Sequence, residues 1–371
     1  MNQKPEGPVL GTRFSLGWIG VISAIFGALS FGGVLCLMFP AILTTPALRD
    51  VYPMAIMRGL IQVVLFISFV LGLISVTIGR RRNYGAVGVI FAAVATLLGG
   101  ADVQVVEPVQ KSPYLGFDWF LLNLFFLALV FVPLERFFAR LPDQPVFRKG
   151  WREDFTYFLV THLIIQVTVF VTMAPARMFF GWAVDPSFQA DVASQPLVLQ
   201  FAEALIVTDL VQYAVHFCFH RIPFLWRFHQ VHHSSTLMDW LAGSRLHLVD
   251  VVVTRAISYV PIFLLGFSTT ATYAYLTFVS FQAIFIHANV RFQFGPVRWI
   301  LATPEFHHWH HSAEREAIDK NFAVSLSLID IIFGTFYLPN RWPKEYGIAG
   351  DPVPEGFVSQ LTYPFRKEKT N

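Results

Sequence analysis

The chain has 371 residues, 55% of them hydrophobic and only 14% charged, with 39 Phe and a net charge of +3, and its mean hydropathy is +0.55. Such a balance lies outside the soluble globular range and reads as a membrane protein. The small net charge, without a basic patch interleaved with aromatics, argues against a nucleic-acid partner, and two cysteines, Cys36 and Cys218, are too few for a disulfide scaffold or a thiolate metal site.

A hydrocarbon core of roughly 30 Å takes about 20 apolar residues in a helix, and the clearest runs are 15–43, 59–79, 85–100, 117–134 and 155–174. The first is too long for a signal-peptide core and reads as an anchor that is kept. Orientation follows from the Lys and Arg excess of cytoplasmic loops. Arg80, Arg81 and Arg82 mark one such loop, and Arg136, Arg140, Arg148, Lys149 and Arg152 a second. Between them, loop 101–118 has Asp102, Glu107 and Asp118 against Lys111 alone. The amino terminus and the end of the fourth span are therefore expected inside. The span 155–174 goes out, and a helix beginning near Pro196 returns, ending at His216 and His220 on the cytoplasmic side. "GFSTT" splits the next apolar block, 251–286, into a short hairpin that returns the chain to the side it left, so His287 emerges there too. From 339 onward the chain is polar and rich in Pro and Gly, a cytoplasmic extension. The expected fold class is all-α: a polytopic membrane helical bundle with a cytoplasmic histidine-rich helical cap.

Eleven of the twelve histidines fall between 216 and 311, where an even spread would place about three. They form H-x-x-x-H (216–220), H-x-x-H-H (229–233), the single His247 and His287, and HHWHH (307–311). Residues at i, i+3 and i+4 of a helix are neighbours on one face, so each box can offer several imidazoles to one metal. About ten candidates exceed the three or four that one zinc needs, which suggests two metals. Imidazole suits iron, copper, zinc and nickel alike. Asp209, Tyr213, His216 and His220 make one helical stripe, on which Asp209 is placed to accept an imidazole N–H. Asp239, Asp250, Asp319 and Asp330 are further candidates to balance metal charge. His162, alone in an apolar run, reads as a packed histidine, and His308 as the spare member of its box. A metal transporter would set such groups within its spans, and a membrane b-type cytochrome would use axial pairs on facing spans; neither fits histidines that follow the spans.

At these boxes the sequence resembles the fatty acid hydroxylase/sterol desaturase superfamily of integral membrane di-iron oxygenases. "DLVQYAVHFCFHRIPFLWRFHQVHHSS" (209–235), "IDKNFAVSLSLIDIIFGTFYLP" (318–339) and "PLERFFAR" (133–140) share its look. The resemblance covers roughly 130–345, and "HHSS" and "IDKN" are most similar to the alkylglycerol monooxygenase branch and its bacterial relatives. It implies two iron ions that activate O2 to hydroxylate, or alternatively desaturate, an unactivated C–H bond of a membrane lipid. Fatty acyl, ether, ornithine-type and sterol-like lipids all remain open as substrate. The implied ligands are His216, His220, His229, His232, His233, His307, His310 and His311, with His287 in the place of the family's single histidine. Some members have a further H-x-x-x-H there, whereas position 283 here is Ala, so His247 is the candidate for the missing ligand. Asp209, Tyr213 and Asn321 are the candidate catalytic residues. No flavin, haem or iron–sulfur motif is evident, so electrons are expected from an external donor: a reduced pterin, as the alkylglycerol branch implies, or a ferredoxin or cytochrome b5 type of protein. The resemblance divides the chain into an N-terminal transmembrane extension (1–115, about three spans), a catalytic domain (116–345) and a polar tail (346–371).

Overall fold

The structure is a computed structural model that describes residues 17–366 except Asp50, Tyr52, Arg80, 106–113, Ala349, Asp351 and Pro352. Arg80, Glu107 and Lys111, which enter the orientation reading, lie outside the described residues. Among the described residues the secondary structure is helical with no strand, and six helices are long and apolar enough to cross a membrane: Trp18–Met38, Met54–Ile78, Arg82–Asp102, Phe117–Phe137, Leu197–Arg221 and Leu248–Leu265. The protein is a multi-pass integral membrane protein. It divides into two compact units, Met1–Phe125 and Phe126–Asn371.

Unit 1 is built on α1 (Gly17–Met38), α2 (Met54–Ile78) and α3 (Arg82–Leu97). Lipid is as apolar as leucine, so such helices associate through close packing and interhelical hydrogen bonds between small residues. Here Ser23 donates to the Ser68 carbonyl at 2.7 Å and Ser68 donates back to that of Ser23 at 2.8 Å. A Cβ on Gly88 would lie 1.9 Å from Ser23 Oγ and 2.6 Å from its backbone carbon, so only glycine lets α1 and α3 approach this closely. Val34, Leu65, Ala92 and Ala95 fill the seam.

Unit 2 begins within α4 (Phe117–Phe137), where Glu135 accepts the backbone N–H groups of Trp240 at 2.7 Å and Asn289 at 2.9 Å. The expected single span 155–174 is instead two helices, α5 (Trp151–Leu163) and α6 (Ile165–Phe180), broken at Ile164. The reason lies in what α5 buries. Asp154, Tyr157 and Phe158 face protein rather than lipid: Asp154 pairs with Arg148 at 2.7 Å and with Arg245 at 2.5 Å, and Phe158 meets Trp240 edge-on. Next come α7 (Pro186–Ser194), α8 (Leu197–Arg221) and α9 (Pro223–His233). The block split by "GFSTT" is the hairpin α10 (Leu248–Leu265) and α11 (Thr269–Phe285), turned at Gly266 with φ 67° and restarted by the Ser268 side chain capping Ala271 N. After α12 (Pro304–His310) and α13 (Ser327–Phe333) the C-terminal segment folds back. There Val353 and Phe357, the latter in α14 (Phe357–Thr362), pack with Tyr157 and Val231.

Candidate metal centre

Four segments of unit 2 carry the histidines. The last turn of α8 presents His216 and His220. Ile222, in extended conformation, and Pro223 at the first turn of α9 then reverse the chain, so His229, His232 and His233 come back over that end. His287 lies just past α11. Thr303 caps α12 through Phe306 N, and that short helix delivers His307, His310 and, at its end, His311.

Nine of these side chains converge in two groups, His216, His220, His229, His233 and His310 in one and His232, His287, His307 and His311 in the other, with the ligand atoms of each group within 4.8 Å of one another. The groups adjoin, since His233 and His311 stack with ring centroids 4.5 Å apart. Each H-x-x-H-H box serves both. Its i and i+4 members, about 40° apart on the helix, go to one group, and its i+3 member, on the other flank, goes to the neighbouring group.

Hydrogen bonds fix the ring orientations. Carbonyls only accept, so Nδ1 carries the proton where it meets a backbone oxygen: His216 at Phe322 (2.7 Å), His232 at Arg245 (3.0 Å), His287 at Ala283 (2.6 Å) and His310 at Lys320 (2.8 Å). His229 Nδ1 donates to Asp250 at 2.7 Å, and His220 Nδ1 lies 3.4 Å from Asp319. Inward-facing Nε2 atoms are then lone pairs. Yet Nε2 of His216 stands 2.9 Å from that of His229, and Nε2 of His232 3.3 Å from that of His287. Two neutral rings with both Nδ1 positions protonated cannot bond to each other in this way. Two imidazoles on one metal, each at about 2.1 Å, are brought to roughly 3 Å from one another, so the donor set fits a metal. Nε2 of His220 and of His310 are buried without a hydrogen-bond partner, as metal ligands would be. Burial, reinforced by neighbouring imidazoles, holds His232, His233, His307, His310 and His311 well below the ordinary imidazole value, so these rings stay in the neutral form that ligates.

His247 does not join them. Its Nδ1 accepts Val249 N at 3.1 Å, capping α10, and its Nε2 donates to the Leu361 carbonyl at 3.0 Å, so backbone groups occupy both nitrogens and the expectation that it completes the ligand set is corrected. At position 283 the alanine contributes its carbonyl, which orients His287. His308 bonds Tyr346 Oη and the His287 carbonyl, and His162 Nδ1 bonds the Phe158 carbonyl at 2.7 Å; both stand outside the two groups.

The three candidate catalytic residues also have other partners. Asp209 accepts the backbone N–H groups of Ser325 (3.1 Å) and Leu326 (2.6 Å), Tyr213 Oη meets Thr335 Oγ1 at 2.9 Å, and Asn321 bonds the Phe306 carbonyl and both backbone groups of Tyr337. None of these bonds reaches a histidine ring. What they hold is the 321–337 segment, in which Asp330 further secures the 319–323 loop by accepting Phe322 N and Ala323 N at 2.8 Å. That loop bends through the left-handed region at Asp319 (φ 58°) and Asn321 (φ 60°), conformations that Asp and Asn tolerate better than most. In consequence Asp319, the Lys320 carbonyl and the Phe322 carbonyl orient His220, His310 and His216. Of the acids considered for charge balance, Asp250 and Asp319 reach a converging ring, while Asp239 binds Arg148.

Residues 201–335 match the family model described as fatty acid hydroxylase. The chain is 31% identical over 174 residues to the ornithine lipid hydroxylase OlsE of Rhizobium tropici, covering 47% of this chain and 52% of that protein. It is 36% identical over 139 residues to the alkylglycerol monooxygenase of Homo sapiens, covering 37% of this chain and 31% of that protein. Against the fatty acid hydroxylase vlmA of Lecanicillium sp the identity is 27%, covering 35% of this chain and 40% of that protein. The chain thus spans about half the length of the first of these relatives and about a third of the second. No solved structure matches it. Residues 201–335, which match the fatty acid hydroxylase family model, hold all nine converging histidines, and the match falls on the boxes that carry the resemblance in the sequence.

Proposed function

We propose that this protein is an O2-dependent oxidoreductase that hydroxylates an unactivated C–H bond of a membrane lipid at a pair of iron ions, one held by each histidine group. The observation that carries the reading is the convergence of nine imidazoles, five with Nδ1–H committed to backbone or Asp250, into two adjoining donor sets. Iron with O2 supplies the oxidising power for such a bond. The chain's own residues bind and orient the ions, exclude water by burial, and position the substrate.

An apolar groove of about 430 Å³, lined by Pro175, Phe179, Val211, Ile257, Val260 and Leu264, runs between α6, α8 and α10. Val211 lies five residues before His216 and Ile257 seven after Asp250, roughly 7 and 10 Å along their helices. An alkyl chain in this groove would end near the centre, which supports a lipid substrate. Similarity to an ornithine lipid hydroxylase and to alkylglycerol monooxygenases favours a polar membrane lipid. The electron donor is external, a reduced pterin or a small redox protein. The excess of Lys and Arg in 136–152 supports a cytoplasmic placement of the boxes.

Lipid extracts of cells expressing the wild-type protein or His232→Ala provide the test. A lipid class carrying one added oxygen with the wild type and absent with the variant is expected. The same oxygenated product from both would contradict the assignment, and a product lacking two hydrogens would turn the reading to desaturation.

A further inference from the structure

The short helix α13 is turned inside out. Its buried residues are Ser327, Ile329 and Asp330, with Ser327 and Asp330 0% exposed, whereas Leu328, Ile331, Ile332 and Phe333 are 44%, 40%, 69% and 55% exposed. Leu328, Ile331 and Ile332 stand at i, i+3 and i+4 and share one face. A helix bathed in water shows the opposite arrangement, with its charge outside and its aliphatic side chains against the core. Asp330 is the one charged residue between Lys320 and Arg341, and it is turned inward. Beside this helix the 295–299 turn and the residue after it expose Val297, Trp299 and Ile300, and Leu328 N bonds the Ile300 carbonyl.

The attachment of this segment fixes its level. Phe333 stacks on Tyr213 with centroids 5.0 Å apart, Tyr213 Oη meets Thr335 Oγ1, and Asp209 holds Ser325 N and Leu326 N. Asp209 and Tyr213 precede Arg221, the last residue of α8, by 12 and 8 residues, about 18 and 12 Å along the axis. Segment 325–335 therefore lies beside the interior of a membrane-spanning helix rather than beyond its end. The outer stripe of α8 next to it, Ile206, Leu210, Ala214 and Cys218, is exposed and without charge, as a lipid-facing stripe is.

We propose that Leu328, Ile331, Ile332 and Phe333, with Val297, Trp299 and Ile300, form a re-entrant surface that rests in the acyl region of one leaflet and continues the lipid-facing surface of α8. The occupant of this surface is the hydrocarbon of the bilayer. Burying the strip there removes apolar area from water while the backbone of the loop stays satisfied by Asp209 and Asp330, as non-helical backbone at membrane depth requires. The histidine centre is then carried partly below the headgroups, and the 319–323 loop that orients three of its rings is anchored to an element lying in lipid. None of this depends on which metal is bound or which reaction follows.

Nitroxide accessibility on the full-length protein in phosphatidylcholine vesicles tests it. In a Cys218→Ser background, labels at Ile332→Cys and at Lys344→Cys, an exposed site on the same unit, are compared for collision with O2 and with a water-soluble nickel chelate, after subtracting the signal of the labelled background. At Ile332 oxygen access is expected to dominate and chelate access to be lost, with the reverse at Lys344. Equal chelate access at both sites would overturn the proposal by placing the strip in water. Protection of Ile332 from both reagents would overturn it too, by showing that protein covers the strip. Should Ile332→Cys fail to give a monodisperse, metal-loaded protein, Leu328→Cys on the same face reads out the same surface.

Discussion

His232 and His247 illustrate what single residues contribute. His232→Ala removes a ring from the second donor group and is expected to cut both metal content and turnover to background while membrane insertion is preserved. His247→Ala should leave metal content unchanged and lower stability by about 1 kcal/mol, the usual worth of a cap; metal loss in that variant would restore His247 as a ligand. His162→Ala should do little to metal or activity, since its Nδ1 bonds the Phe158 carbonyl of its own helix and the ring stands outside both donor groups. Asp250→Asn tests orientation rather than ligation. By weakening the bond that aims His229, it is expected to lower metal affinity about 10–100-fold, measured by chelator competition, and an unchanged affinity would show that the carboxylate is not needed. Acidity acts on the same rings. Below about pH 6.5 the unfolded chain protonates its histidines, whereas the buried rings, whose values are depressed, remain neutral. Stability of the metal-free fold is therefore complete above that pH and is lost as the pH falls through it. Thermal unfolding of the metal-free protein is expected at a clearly lower temperature near pH 5.5 than near pH 7.5; equal midpoints would mean that the folded rings already carry protons.

Among the elements, the loop 319–323 decides how tightly the first donor group is held. Asp330→Ala would leave Phe322 N and Ala323 N buried without an acceptor, at about 1–3 kcal/mol each. It should also loosen the carbonyl that orients His216, seen as faster metal loss to a chelator than in the wild type. In unit 1, Gly88→Ala forces α1 and α3 apart and is expected to cost about 1–3 kcal/mol of that unit's stability, with the metal content of unit 2 unchanged. The long apolar runs and the i, i+4 histidine pairs were legible in the sequence, because span length and helical periodicity are properties of the chain alone. The break at Ile164 was not, because 155–174 is apolar enough for lipid and only the buried contacts of α5, Phe158 with Trp240 and Asp154 with Arg245, show that protein covers it. Asp209, Tyr213 and the histidines do share a helical stripe. Which neighbour Asp209 and Tyr213 would meet, the 322–335 segment rather than an imidazole, depends on tertiary packing. The carbonyls of Ala283, Lys320 and Arg245 orient three rings and leave no mark in the sequence, since every residue carries one; the paired Asp and Asn of "IDKN" were the one local hint of a turn.

For the molecule as a whole, six of the described helices are long and apolar enough to cross a membrane, and the region that matches the fatty acid hydroxylase family model gathers nine histidines in one place. That two boxes each divide their members between two groups is a property of the assembled unit 2 and follows from no box by itself. Unit 1, outside the family match, is a tight glycine- and serine-packed bundle. The central proposal, a di-iron centre made by these nine histidines, is tested most directly by metal analysis of the detergent-purified full chain grown in iron-57, with Mössbauer spectroscopy of the same sample. About two irons per chain behaving as a coupled pair, lost in His232→Ala, is the expected result. Zinc alone after growth in ample iron, or one isolated iron unaffected by that substitution, would contradict it.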